Sequence, residues 1–231
     1  SADVGASMVH LAPLSAYRCA MITDPFFYLC AIPAVLLYGI AKGGFGGNIA
    51  IVSVPLMALV VAPQQAAAIL LPILCLMDLV ALRTFRGRWD RTNLRIILPA
   101  AIVGVLIGAL TFRLMNEQHI RLLIGVIAVS FVINAWWRRD QQQARPANAW
   151  RGRFWGMLSG FTSFGIHAGG PPINVYMLPQ RLEKTLLMGT LAVFFTLVNW
   201  VKVPAYLYLG QFSSENLLTS LVLMPLAPIG V

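Results

Sequence analysis

Apolar residues in this chain fall in long runs separated by short charged or Pro/Gly stretches. The runs cover residues 26–41, 49–61, 66–82, 94–112, 120–137, 154–166 with a resumption at 173–178, 186–209 and 217–231. A helix rises about 1.5 Å per residue and a bilayer core is about 30 Å thick, so the longer runs predict membrane-spanning helices. The first two runs are short for a full crossing and predict a hairpin of short or tilted helices meeting at glycines. Alternating polarity, the mark of a transmembrane barrel, is absent. The predicted fold class is an all-α polytopic membrane protein.

Two runs are interrupted where hydropathy calls for helix. One break holds Lys42, Gly43, Gly44, Phe45, Gly46, Gly47 and Asn48. The other, residues 160–172, reads Gly-Phe-Thr-Ser-Phe-Gly-Ile-His-Ala-Gly-Gly-Pro-Pro. Glycine loosens the backbone and proline removes a donor, so both should break a helix. Broken backbone at membrane depth survives only when buried in protein or lining a wet cavity. The second helix should therefore stop at His167 and restart after Pro172.

The breaks recur at one offset. Gly46-Gly47 falls on Gly169-Gly170 (169 − 46 = 123), Gly87 on Gly210, Trp89 on Phe212 and Leu94 on Leu217. Loop charge gives the two halves opposite orientation. Residues 83–95 hold five arginines and one aspartate, whereas the counterpart at 210–215 holds one acid and no base. By the positive-inside rule these loops lie on opposite sides, so the halves read as inverted-topology repeats with broken or re-entrant helices meeting near the midplane. The expected organisation is a tail or surface segment at 1–25, a first repeat at 26–137, a basic cytoplasmic linker at 138–153 and a second repeat at 154–231. Residues 120–137 have no counterpart in the second repeat.

Composition agrees. The 231 residues are 58% hydrophobic and 11% charged, against about 25% charged in soluble domains. The net charge of +9 comes mostly from arginines in two loops, one helix pair apart, and signals topology rather than nucleic-acid binding. Cys19, Cys30 and Cys75 show neither metal spacing nor a disulfide framework. No metal or cofactor is expected.

With Gly43, Gly44, Phe45, Gly46 and Gly47 early in one half, and Gly160, Gly165, Gly169, Gly170 and Pro171 early in the other, the chain resembles the sulfite exporter TauE/SafE family. The resemblance implies a non-enzymatic transporter of seven to nine helices in a bacterial inner membrane. Its partners would be the bilayer and a small anion, sulfite or an organosulfonate such as sulfoacetate; assembly with further copies stays open. The chain ends where the resemblance expects another helix.

Helix N-termini offer free N–H groups and partial positive charge to anions. For the three oxygens of a sulfonate or sulfite, the candidates are the backbone at Gly43, Gly44, Gly46, Gly47, Gly169, Gly170 and Pro171, with side chains of Asn48, Ser163, His167 and Asn174. The competing reading of the glycines is close helix packing. Lys42 either attracts the anion or snorkels to an interface. Asp78 is five residues from Arg83 and is expected to pair with that basic loop, with ion coupling as the alternative. Asn199 and Lys202 precede Pro204, and Lys202 could draw an anion inward. Inversion puts Asp78 and Lys202 toward opposite faces, against a mutual pair. An anion channel remains an alternative. A hydrolase built on Ser163 and His167 lacks the Gly-x-Ser-x-Gly pattern and is a remote one.

Overall fold

The computed structural model describes residues 21–44, 49–112, 114–137 and 144–231. Regular structure among them is helical: α1 (Pro25–Gly43), α2 (Ser53–Met57), α3 (Pro63–Thr84), α4 (Arg91–Phe112), α5 (Glu117–Trp137), α6 (Ala149–Ile166), α7 (Gly170–Met177), α8 (Lys184–Tyr208), α9 (Ser214–Leu223) and α10 (Ala227–Gly230), with 3-10 turns at Ile49–Val52, Leu178–Gln180 and Met224–Leu226. Four helices (α1, α3, α4 and α8) are long and apolar enough to cross a bilayer. The expected tail at 1–25 lies mostly outside the described residues, as do Phe45, Gly46, Gly47 and Asn48 and the start of the basic linker.

Helix α6 begins at Ala149, earlier than the apolar run at 154–166, because the Asn148 side chain caps it by accepting from Arg151 N–H at 3.0 Å. The last apolar run, 217–231, is not one helix. Pro225 and Pro228 fall in its second half, which divides into a 3-10 turn and a single further turn of helix.

Helices α4 and α6 lie side by side and parallel. A Cβ added at Gly156 would come within 2.7 Å of the Ile97 carbonyl oxygen, one at Gly160 would collide with the Ala101 carbonyl, and one at Gly108 would meet Phe164 Cβ at 2.9 Å. Both positions advance together, so the helices point the same way, with α5 between them in sequence. Lipid offers no hydrophobic drive for helix association, and small residues on both faces let backbones touch instead. Parallel packing puts the N-terminal ends of α4 and α6 together and brings Arg91 and Arg95 of one to the same end of the bundle as Arg151 and Arg153 of the other. The arginine end also holds the return of α7: Asn93 and Gln180 exchange side-chain hydrogen bonds of 2.8 and 3.1 Å, and Tyr176 packs on Gly152. The pair α6–α7 is thus a hairpin that starts and ends at the arginine end.

The other hairpin has the opposite sense. Ser53 Oγ donates to the Ala34 carbonyl at 2.8 Å, folding α2 back along α1. Residue pairs Tyr38–His167, His167–Ala67 and Lys42–Asp78 advance together, so α1 runs parallel to α3. Helix α8 is antiparallel to α3: Phe85 lies beside Gly189, and Asp78 is bonded to Asn199.

Element bounds recur at the expected offset. Adding 123 to α1 gives 148–166, against 149–166 for α6; adding it to α3 gives 186–207, against 184–208 for α8. The start of α4 at 91 maps to 214, the start of α9. Among the described residues, the two glycines with left-handed backbone are Gly87 (φ 76°) and Gly210 (φ 65°), again 210 − 87 = 123 apart. Each follows a long helix at a turn where a side chain would be strained.

Candidate functional site

The break in the second half is narrower than residues 160–172. Helix α6 runs through Gly160 and Gly165 to Ile166; His167 ends it in the left-handed conformation (φ 54°), and α7 restarts at Gly170. His167 N–H bonds back to the Ser163 carbonyl at 3.2 Å, the 5→1 bond of an αL cap that glycine usually makes, and Ala168 N–H reaches the Thr162 carbonyl at 3.3 Å. Pro171 and Pro172 do not break the chain. They occupy the first turn of α7, where a missing N–H costs nothing.

The carbonyls exposed by the break are answered individually. His167 O accepts from Tyr38 Oη at 2.9 Å, Ala168 O from Thr162 Oγ1 at 3.0 Å, and Gly169 O from Ser159 Oγ at 2.7 Å. At the end of α6, Phe164 O accepts from Tyr206 Oη at 2.6 Å and Ser163 O from Lys202 Nζ at 3.0 Å. Unpaired peptide groups in an apolar interior would each cost several kcal/mol, so these hydroxyls hold the break open as a stable feature.

Lys202 is fully buried and meets three acceptors: Ser163 O, Ser163 Oγ at 3.2 Å and His167 Nδ1 at 2.7 Å. His167 Nε2 lies 2.9 Å from the Ala67 carbonyl, which can only accept. Nε2 therefore carries the ring proton, and Nδ1 is left to accept from Lys202. The Tyr206 ring stacks on His167 at 6.4 Å between centroids. Among the described residues Lys202 forms no ion pair with a carboxylate.

A second cluster lies toward the arginine end. Lys42, one turn beyond Tyr38, forms an ion pair with the buried Asp78, whose other oxygen accepts from Asn199 Nδ2 at 2.7 Å. Asp78 does not pair with Arg83 as sequence proximity suggested. Its carboxylate points into the bundle, where the tip of α1 and the turn before Lys202 supply both partners. Asp78 and Lys202 are not hydrogen-bonded to each other, although Asn199, which bonds Asp78, lies one turn from Lys202. The Tyr38 ring, 5.9 Å from Lys42 Nζ, links the clusters.

The remaining sequence candidates divide. Ser163, His167, Lys202, Asn199, Asp78 and Lys42 come together. Asn174 is buried on α7. Gly43 packs against the backbone of Val231, Gly44 faces open space, and Gly169 lies against Ser159 and Ser163. Because Pro171 and Pro172 lack N–H groups, the start of α7 offers an anion only the donors of Gly169 and Gly170. Side chains carry more of the site than the helix end does. Tyr38, Ser159, Thr162 and Tyr206 were not singled out in the sequence, although the spacing of Ser159, Thr162 and Ser163 places them on neighbouring positions of one helix face.

Two cavities flank this polar seam. One of about 320 Å³ is lined by Gln64, Phe164, Gly165, Tyr206, Leu209 and Gln211, at the end away from the arginines. The other, bounded by Lys42, Asp78, Ala81, Met188 and Leu191, measures about 20 Å³, room for about one water. No group of metal-binding residues occurs among the described residues.

No match is found among curated proteins or among solved structures. A family model described as sulfite exporter TauE/SafE matches residues 31–231, essentially the whole described helical bundle. The chain belongs to the TauE/SafE family of membrane transport proteins.

Proposed function

We propose that this chain is a secondary transporter that exports small sulfur-containing anions, sulfite or organosulfonates such as sulfoacetate, by alternating access across a bacterial inner membrane. The observation that carries the reading is Lys202. It is a buried lysine with no carboxylate partner among the described residues, held at a broken helix end one turn from Tyr206, which with Phe164 lines a cavity of about 320 Å³. That volume lies in the range of small-ligand sites, roughly 300–1,000 Å³. An oxyanion entering past Tyr206 would take an N–H of Lys202 now directed at Ser163 or His167, and the Ser163 hydroxyl can donate a second bond.

The halves are read as inverted repeats. The antiparallel course of α3 and α8, the opposed hairpins α1–α2 and α6–α7, and the recurring offset support this reading. With the arginine end cytoplasmic, the larger cavity faces outward and the Lys42–Asp78 pair closes the inner route. Export requires the reverse arrangement in turn: the Lys42–Asp78–Asn199 contacts open and the space beside Tyr206 closes.

Uptake of sulfite, sulfoacetate, thiosulfate and sulfate into proteoliposomes, with and without a pH gradient, tests the substrate class. Saturable flux with counterflow supports a carrier of sulfur oxyanions. Transport of some other solute with none of these four would overturn the assignment, and flux without counterflow would mark a channel.

A further inference from the structure

The two arginine-bearing helix starts form a groove that transport does not require. Parallel packing of α4 and α6 sets Arg95 and Arg153 on the walls of one outward-facing cavity of about 520 Å³. Its floor is apolar, built from Pro99, Ala100, Val103 and Met157, and no acidic residue lines it. Trp150, 80% exposed, stands at the rim with the Arg153 guanidinium 6.0 Å from its ring. Along α4 the apolar surface continues from the groove through Leu106 to Leu110, both exposed.

We propose that this groove binds one anionic glycerophospholipid from the leaflet at the arginine end, with its phosphate between Arg95 and Arg153 and an acyl chain along Val103 and Leu106. Each chemical element of such a lipid has a counterpart. Two guanidiniums supply bidentate donors suited to a phosphate. Trp150 sits where an amphipathic ring prefers the headgroup level. The two helix N-termini add positive potential at the same end. The apolar floor exists because the glycine contacts draw α4 and α6 together at their facing sides, leaving a furrow on the lipid side. Charge selects the occupant: a zwitterionic lipid would bring its headgroup cation up against the two arginines, and a helix of a second copy would bring no phosphate.

The test is lipid retention by the purified full chain, titrated in detergent with phosphatidylglycerol, phosphatidylcholine or inorganic phosphate and read by native mass spectrometry. The expected result is one tightly held phosphatidylglycerol, favoured over phosphatidylcholine by about tenfold or more, in line with two basic residues at a charged surface. Arg95→Gln with Arg153→Gln should bring phosphatidylglycerol down to the phosphatidylcholine level. Val103→Trp, which fills the furrow and keeps both charges, should also displace the lipid. Arg86→Gln with Arg88→Gln, on the neighbouring loop, should leave binding unchanged. Equal retention of both lipids by the wild type, undiminished retention in the Arg95/Arg153 or Val103 variants, or an equal loss in the Arg86/Arg88 variant would overturn the proposal. So would free phosphate competing as well as the lipid, or a second copy of the chain occupying the face.

Discussion

Nζ of Lys202 lies 2.7 Å from Nδ1 of His167, while Nε2 of the same ring lies 2.9 Å from the Ala67 carbonyl. The ring therefore joins α3, the broken end of α6 and α8 through two directed hydrogen bonds. It also explains why a histidine occupies a left-handed helix end, at a backbone cost of about 1–2 kcal/mol that glycine would avoid. His167→Ala should keep that strain and leave the Ala67 carbonyl without its donor, lowering stability by about 1–3 kcal/mol. His167→Asn tolerates the backbone and should lose less. Thermal unfolding of the two variants in detergent orders them; wild-type stability in both would mean the ring bonds do not matter.

Asp78 and Lys42 should show strong coupling. Removing one member of a buried ion pair leaves an uncompensated charge, so Asp78→Asn or Lys42→Met alone should destabilise by about 3–5 kcal/mol. The double variant should recover much of that loss. Additive losses in a double-mutant cycle would show that the pair does not form in the bilayer.

Gly160 and Gly44 make opposite predictions from the same residue type. Gly160→Leu should force α6 from α4, because its side chain would run into the Ala101 carbonyl; expression of folded protein should fall sharply. Gly44→Ala meets open space and should be tolerated. Size-exclusion profiles of the two variants check this, and a folded, wild-type-like Gly160→Leu would refute the close approach.

Opposite orientation of the halves is tested by labelling. In a background without Cys19, Cys30 and Cys75, Arg86→Cys and Glu215→Cys should react with a membrane-impermeant thiol reagent from opposite sides. Labelling of both from one side would contradict inverted repeats.

Much of this architecture could be read along the chain. The offset linking Gly87 with Gly210 and the stop at His167 follow from local composition, because backbone breaks are properties of single segments. The partner of Asp78 could not be read that way. Arg83 is near in sequence, but the carboxylate is satisfied by Lys42 and Asn199, which only the crossing of α1, α3 and α8 brings together. The same holds for Tyr38 and Tyr206, whose hydroxyls look like ordinary core aromatics until the open carbonyls of His167 and Phe164 face them. The glycines at 104, 108, 152, 156 and 160 did carry a signal, small residues one helical turn apart on two segments, and that signal gives the α4–α6 contact.

The central claim is that Lys202 supplies the charge that holds the transported anion. Lys202→Met keeps the length of the side chain and removes a buried charge, a change that need not lower stability. The decisive measurement is sulfite and sulfoacetate counterflow in proteoliposomes carrying wild-type or Lys202→Met protein of matched thermal stability. The account predicts exchange in the wild type and at least about a tenfold loss in the variant, as expected when a charge-assisted hydrogen bond of about 1.5–3 kcal/mol is removed. Undiminished exchange by a folded Lys202→Met protein would contradict it.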